Sequence, residues 1–286
     1  MKIIKHQDIE EFLNANEQLL LKKESFHNLI LGLSYGIRNK KIETTEPLFY
    51  SIKENEEVIA CALRSNSDKP LIVTEMSNGC VELLIQDLLN NKNELMAVVG
   101  EESTANYFKD QWTQIKNLDF KINIHLGVYE CFKVVFPDII LGEIIRATEE
   151  HKDILKEYIK GFLKECFPDS PVVDENIENL MNRNLNNNSL YLLNNKKNEI
   201  VSMAANVRST LNGGTISLVY TPPMLRGKGY ASCMVALLSG KIMNDGKKFA
   251  NLFTDLTNPT SNFIYQKIGF VKIGQNIHFD FINRKI

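Results

Sequence analysis

At 286 residues the chain is long enough to bury a sizeable core and to hold one or two domains. A hydrophobic fraction of 44% and a formal charge of −2 are those of an ordinary soluble globular protein, with no basic excess pointing to nucleic acid. Met1 to Asp8 leads into a charged amphipathic segment, without the apolar run of a signal peptide or a membrane span.

In chain order, Ile9, Phe12, Leu13 and Leu20 fall on one helical face, and Phe26, Leu29, Ile30, Leu33 and Ile37 on another. Leu48 to Lys53, Val58 to Leu63 and Leu71 to Met76 read as three strands. Val81, Leu84, Ile85 and Leu88 predict a helix, Glu94 to Val99 a strand, and Ser103 to Ile115 a helix around Trp112. Leu118 to Phe136 reads as extended, in two strands. After Pro137-Asp138 the pattern starts again. Gly142 to Ala147 is strand-like, Ile154 to Leu163 carries a strong helical stripe, and Ile177, Leu180, Met181 and Leu185 mark a second helix. Strands follow at Ser189 to Leu193, Ile200 to Val207 and Thr215 to Tyr220. A helix from Tyr230, a strand at Ala250 to Leu256, a helix around Tyr265 and closing strands from Phe270 to Phe281 complete the chain.

Both halves therefore run helix, helix, three strands, helix, strand, helix, strands. That order predicts two tandem copies of one α/β unit, each a central, mostly antiparallel sheet flanked by helices, at 1–138 and 139–286. Cys61, Cys80, Cys131, Cys166 and Cys233 are scattered, odd in number and without a Cys-x-x-Cys pair, so reduced, buried thiols in the cytoplasm are expected. The histidines show no metal spacing, and no metal is expected.

The stretch with chemistry in it is Ser217 to Ser232. Pro222 and Pro223 cannot donate to a ladder, so the strand is expected to part from its neighbour there. Arg226-Gly227-Lys228-Gly229 then precedes a helix whose apolar stripe is Ala231, Met234, Val235, Leu238 and Ile242. Glycines admit a close backbone approach, the first helical turn offers unpaired N–H groups, and two cations stand beside them: together, a cradle for phosphate or pyrophosphate. A solvated glycine turn is the plainer alternative. The P-loop pattern fails because Gly229 follows Lys228, and the dinucleotide pattern has Ser232 at its third glycine. Farther on, Asn258 is a good N-cap with Pro259 at the first helical position, Gly269 is a natural stop, and Ser261 and Tyr265 share one helix face.

Arg226-x-x-Gly229-x-Ala231 between strand and helix resembles the signature of the GNAT superfamily of N-acetyltransferases, and Asn258-x-x-Ser261-x-x-x-Tyr265-x-x-x-Gly269-Phe270 is similar to its second block. The resemblance covers the last half of the chain by motif and the first half only by element order. It implies acetyl-CoA as co-substrate and an amine acceptor, a small molecule or a protein amine. The amides of Arg226, Gly227, Lys228, Gly229, Tyr230 and Ala231 are implied as pyrophosphate contacts, and Leu218, Val219 and Tyr220 as the strand beside the pantetheine arm. Asn258 and Ser261 are implied as further cofactor contacts, with Tyr265 near the thioester sulfur as general acid. A core aromatic is the plainer reading of Tyr265. Glu165 and Asp169 are candidates for the general base, and a water chain would serve as well. No arginine occurs between Arg64 and Arg146, so the first unit is expected to be a degenerate acetyltransferase-like copy without a phosphate loop. No nucleic acid or membrane partner is expected, and the protein is read as a monomer or homodimer. Two other readings stay open: an acyl-CoA-binding module without turnover, and a nucleotide-binding oxidoreductase using the imperfect Gly-x-Gly loop.

Overall fold

The computed structural model describes residues 1–168 and 171–284, with Thr260 described for its backbone only. Contacts divide the chain into two compact units: Met1–Val128 with Asp255–Thr257 and Ile273–Ile286, and Tyr129–Thr254 with Asn258–Lys272. The first unit therefore includes residues 273–286, which the sequence pattern placed with the second half.

Before the boundary at residue 128 lie β1 (Lys2–Lys5), α1 (Ile9–Lys22), α2 (Asn28–Arg38), β2 (Leu48–Glu54), β3 (Glu57–Arg64), β4 (Leu71–Val73), α3 (Asn78–Asn90), β5 (Ala97–Glu101), α4 (Glu102–Lys116) and most of β6 (Leu118–Cys131). Beyond it come β7 (Gly142–Arg146), α5 (Lys152–Cys166), α6 (Asp174–Asn186), β8 (Leu190–Asn195), β9 (Ile200–Ser209), β10 (Gly213–Tyr220), α7 (Tyr230–Asn244), β11 (Phe249–Asp255), α8 (Pro259–Lys267) and β12 (Val271–Asn283).

In the first unit the strand order is β1-β2-β3-β4-β5-β12-β6. Its registered pairs are antiparallel except β4–β5. β12 enters this sheet by pairing Asn276 to Asp280 against Glu101 to Ala97, which is why the end of the chain belongs here. Apolar residues of α1 and α2 (Phe12, Leu13, Leu20, Ile30, Leu31) close over one set of strand side chains. α3 and α4, with Leu84, Leu88, Phe108 and Trp112, close over the alternate set. Local signals agree with this packing: Asp8 caps α1 by accepting from the Glu11 N–H at 2.9 Å, and α4 stops at Asn117 in the left-handed region.

The second unit orders β11-β10-β9-β8-β7, again antiparallel except for one parallel pair, β10–β11. α5 and α6 cover one face through Leu155, Tyr158, Ile159, Ile177 and Met181. α7 and α8 cover the other through Cys233, Met234, Leu238, Ile242 and Tyr265. The fold class is thus the expected one: mixed α/β, mostly antiparallel sheets flanked by eight helices among the described residues.

Two sequence expectations need correction, and one strand was not anticipated. Leu118 to Phe136 holds one strand, not two: after Cys131 the chain leaves the ladder and is tied down singly, with Phe132 against the Phe249 ring and the Val135 N–H on Ile268 O at 2.8 Å. Phe270 to Phe281 is likewise a single strand, β12. Lys2–Lys5, too short for a periodic signal, forms an edge strand because Ile3 and Ile4 find Ile52 and Ser51 on β2.

Candidate functional site

The site lies within the second unit, where β10 and β11 separate. Their parallel register runs from Gly213↔Phe249 to Ile216↔Leu252 and no farther. The sequence placed the parting at Pro222; it begins earlier because β10 is bulged. On the β9 side Ser217 faces Ala205 and Tyr220 faces Met203, so β10 spends one residue more than β9 over this interval. Leu218 takes the extra turn at φ 53°, a left-handed conformation uncommon for a leucine, and its side chain is buried toward α5 and α6. Past the bulge, the edge of β10 that faces β11 has backbone groups with no registered strand partner among the described residues.

The loop that follows is built for close approach. Pro223–Leu225 makes one 3-10 turn, Gly227 has φ 76° and Gly229 φ 84°. Gly229 is the N-cap of α7, and no side chain caps that helix. The N–H groups of its first turn, the positive end of the helix dipole, therefore remain available to an anion. A methyl group added at Gly227 would meet no atom within 4 Å, so open space lies beside it. Arg226, Gly227, Lys228 and Gly229 line the exposed side of the loop, and Tyr230 and Ala231 sink toward the sheet. The glycine loop expected from the sequence thus stands where β10 gives way to α7, with two left-handed glycines and a helix start that no side chain caps.

Arg226 is engaged in a way the sequence did not reveal. Its Nε donates to Thr221 O at 2.9 Å, and one Nη donates to both oxygens of Glu165 at 2.7 Å. The guanidinium also sits 5.8 Å from the Tyr220 ring centroid. Both members of the ion pair are 46% exposed, so the pair is worth about 0.2–1 kcal/mol and acts mainly on geometry. Glu165, named above as a possible base, has both oxygens occupied by this cation. Asp169, the other possible base, lies outside the described residues.

α8 presents the second block. The Asn258 side-chain oxygen accepts from the Ser261 N–H at 3.1 Å and so caps the helix, with Pro259 in its first turn. Tyr265 is buried in the core under α7 and α8, edge-on to Phe270 at 6.1 Å. Burial raises its phenol far above the ordinary tyrosine range, Cys166 acts in the same direction, and the side chain of Ser261 opposes them. Tyr265 accordingly stays protonated across the physiological range. Its contribution to stability is present below the ordinary tyrosine value, near 10, and is lost only as pH climbs above it.

Cys166 was the missed neighbour. Of the five thiols expected to be buried, Cys61, Cys80, Cys131 and Cys233 are, while Cys166 is exposed at the end of α5, electrostatically coupled to Tyr265. Tyr158 and Gly161 on α5 were missed too; only the fold brings them against Tyr220. Among the described residues no cluster of His, Cys, Asp and Glu could hold a metal ion, and no helix is long and apolar enough to cross a membrane.

Three comparisons bear on this geometry. Residues 195–279, from the end of β8 into β12 and including the whole site loop, match the family described as FR47-like protein. No curated protein sequence matches the chain. Among solved structures, a Drosophila protein superposes with a TM-score of 0.67 at 13% identity, covering 99% of this chain and 99% of its own. An acetyltransferase of the GNAT family from Colwellia psychrerythraea gives 0.58 at 13% identity, covering 99% and 100%. A tandem GNAT protein from the clavulanic acid biosynthesis pathway gives 0.58 at 7% identity, covering 100% and 99%. The chain therefore has the fold of the GNAT acetyltransferases in its tandem form, with the FR47-like segment in the half that carries the site.

Proposed function

We propose that the second unit binds acetyl-CoA and transfers its acetyl group to an amine. The observation that carries this reading is the adjacency of two unpaired backbone surfaces: the bulged end of β10 and the uncapped start of α7 behind its glycine loop. The first offers amides to an extended amide-bearing chain and to a carbonyl oxygen; the second offers them to a diphosphate. A CoA thioester carries those groups in one molecule. When bound, it supplies an acetyl carbon open to attack and a thiolate leaving group.

Each residue then has a defined task. Gly227, Lys228, Gly229, Tyr230 and Ala231 hold the diphosphate through N–H groups, with the Lys228 cation alongside. Arg226 keeps the loop in place against Thr221 and Glu165. Val219 and Tyr220 turn N–H groups toward the thioester carbonyl, where negative charge grows as the amine adds. A C–N bond forms, the C–S bond breaks, the ammonium proton leaves to water, and Tyr265 gives a proton to the sulfur. Asn258 and Ser261 hold α8 so that Tyr265 stays in place.

The burial and weakened acidity of Tyr265 favour a second reading, an acyl-CoA-binding protein without turnover. Calorimetric titration with CoA, followed by acetyl-CoA turnover against a panel of small amines and lysine peptides, separates the two. Binding with transfer supports the enzyme, binding without transfer supports the module, and no binding sinks both.

A further inference from the structure

Helix α5 carries a stripe, Tyr158, Gly161 and Glu165, spaced three and four residues apart and hence on one face. All three touch the machinery just described. The Tyr158 ring lies 5.6 Å from the Tyr220 ring at an interplanar angle of 59°. Glu165 holds Arg226, and Arg226 sits over the same Tyr220 ring. Gly161 is where the ring lands: a Cβ at this position would fall 2.2 Å from the Tyr220 hydroxyl oxygen and 2.4 Å from Cζ.

Glycine is among the poorest residues for a helix interior, and nothing in the backbone demands it here, since Gly161 lies inside regular helix without a positive φ. The space it leaves is filled by one ring. Tyr158 bounds that ring on one side and the Glu165-held guanidinium lies over it on another. Its backbone is held as well: Tyr220 O accepts from the Ser202 hydroxyl at 2.9 Å, and the next carbonyl, Thr221 O, takes Arg226 Nε. Tyr220 thus lies between the bulge and the glycine loop, with its ring seated on α5.

We propose that Gly161 is a positioning residue for the cofactor: by having no side chain it lets Tyr220 dock on α5, and this docking sets the bulged end of β10 and, through Arg226, the phosphate loop. The proposal rests on the reading that acetyl-CoA binds here, and it adds that the α5 face controls how well.

The test is calorimetric titration of the full chain with CoA, with thermal melting of the same samples. Four proteins are compared: wild type, Gly161→Ala, Tyr220→Leu (which vacates the positions of the hydroxyl and Cζ) and the double variant. Gly161→Ala is expected to weaken CoA binding by about fivefold or more, because the added methyl displaces the Tyr220 ring. In the Tyr220→Leu background the same alanine is expected to change Kd by less than about twofold, since the ring it obstructs is gone. A simple loss of helix integrity would move the melting temperature and would not depend on residue 220. Equal Kd for wild type and Gly161→Ala, or equal losses in both backgrounds, overturns the positioning role and leaves the acetyl-CoA reading standing. Wild type that fails to bind CoA overturns both. Should Gly161→Ala alone lose its melting transition, recovery of the transition in the double variant supports the steric seat, and failure to recover overturns it.

Discussion

Each unit contains a parallel strand pair whose first strand leads into a helix, and the two pairs end differently. In the first unit β4 stays registered with β5 through its last residue, Val73↔Gly100. Just beyond, the Thr74 hydroxyl accepts from Cys61 N at 3.0 Å and donates to Cys61 O at 3.1 Å, so a side chain continues the pairing with β3. The Met76 N–H goes to the Thr104 hydroxyl at 3.1 Å, and α3 begins behind Ser77 at φ −68°. A cavity of about 20 Å³ there is lined by Phe26, His27, Ile72, Val73, Gly100 and Asn276, room for a water. In the second unit the pair opens after Ile216, Leu218 bulges, and two left-handed glycines bring the chain into an uncapped helix. The topology is shared, and α3, like α7, starts without a side-chain cap; what separates the two ends is the bulge and the left-handed glycines of the second unit.

That contrast can be broken most directly at Tyr265. Tyr265→Phe is expected to lower kcat about 100-fold while leaving CoA affinity within about twofold, the signature of a lost proton donor. An unchanged rate at saturating acetyl-CoA would remove Tyr265 from the chemistry and return it to the core. Next in size is Gly229→Val. A β-branched residue at φ 84°, with Leu141 already 3.4 Å from the new Cβ, is expected to weaken CoA binding about tenfold or more. Ser77→Ala, at the N-cap of α3 in the first unit, is expected to leave Kd within about twofold. Equal responses at these two helix starts would mean that both units, or neither, bind the cofactor.

The smallest effect sharpens the comparison through pH. His6, His27 and His278, all in the first unit, are held below the ordinary histidine value, in each case chiefly by burial. His27 donates through Nδ1 to Leu20 O at 3.1 Å and leaves Nε2 buried without a partner among the described residues. As pH falls below about 6.5 the unfolded chain takes up protons that the folded unit refuses, so stability present above that value is lost as pH drops. Trp112, the one tryptophan of the chain, is fully buried in this unit and reports on it alone. Its fluorescence is expected to show a lower melting temperature at pH 5.5 than at 7.5, with a reduced difference in His27→Gln. A melting temperature independent of pH over this range would contradict the assignment.

Local features were readable in advance, nonlocal ones were not. The α7 stripe, the Asn258 cap and the Ser261–Tyr265 face follow from spacing and capping chemistry within one helix, and each stands where the pattern put it. The Leu218 bulge escaped because it is a mismatch of count between β10 and β9, which neither strand shows alone. The Glu165 partner of Arg226 could not be read in advance because it lies 61 residues away in the chain. Gly161 carried no signal at all, since an isolated helical glycine becomes informative only when the ring above it is known. The placement of β12 was hidden for the same reason: a strand pattern says nothing about which sheet will take it.

β12 also has a bearing on how the protein is made. A ribosome releases residues 1–128 early, yet the strand they lack between β5 and β6 emerges only after the whole of the second unit has been translated. Until then β5 has an open edge, and the nascent first unit stays unfinished. The unit whose translation starts first is therefore completed only once β12 has been made. A stop codon ahead of residue 273 would spare every residue of the proposed acetyl-CoA site and cripple the domain that was translated first.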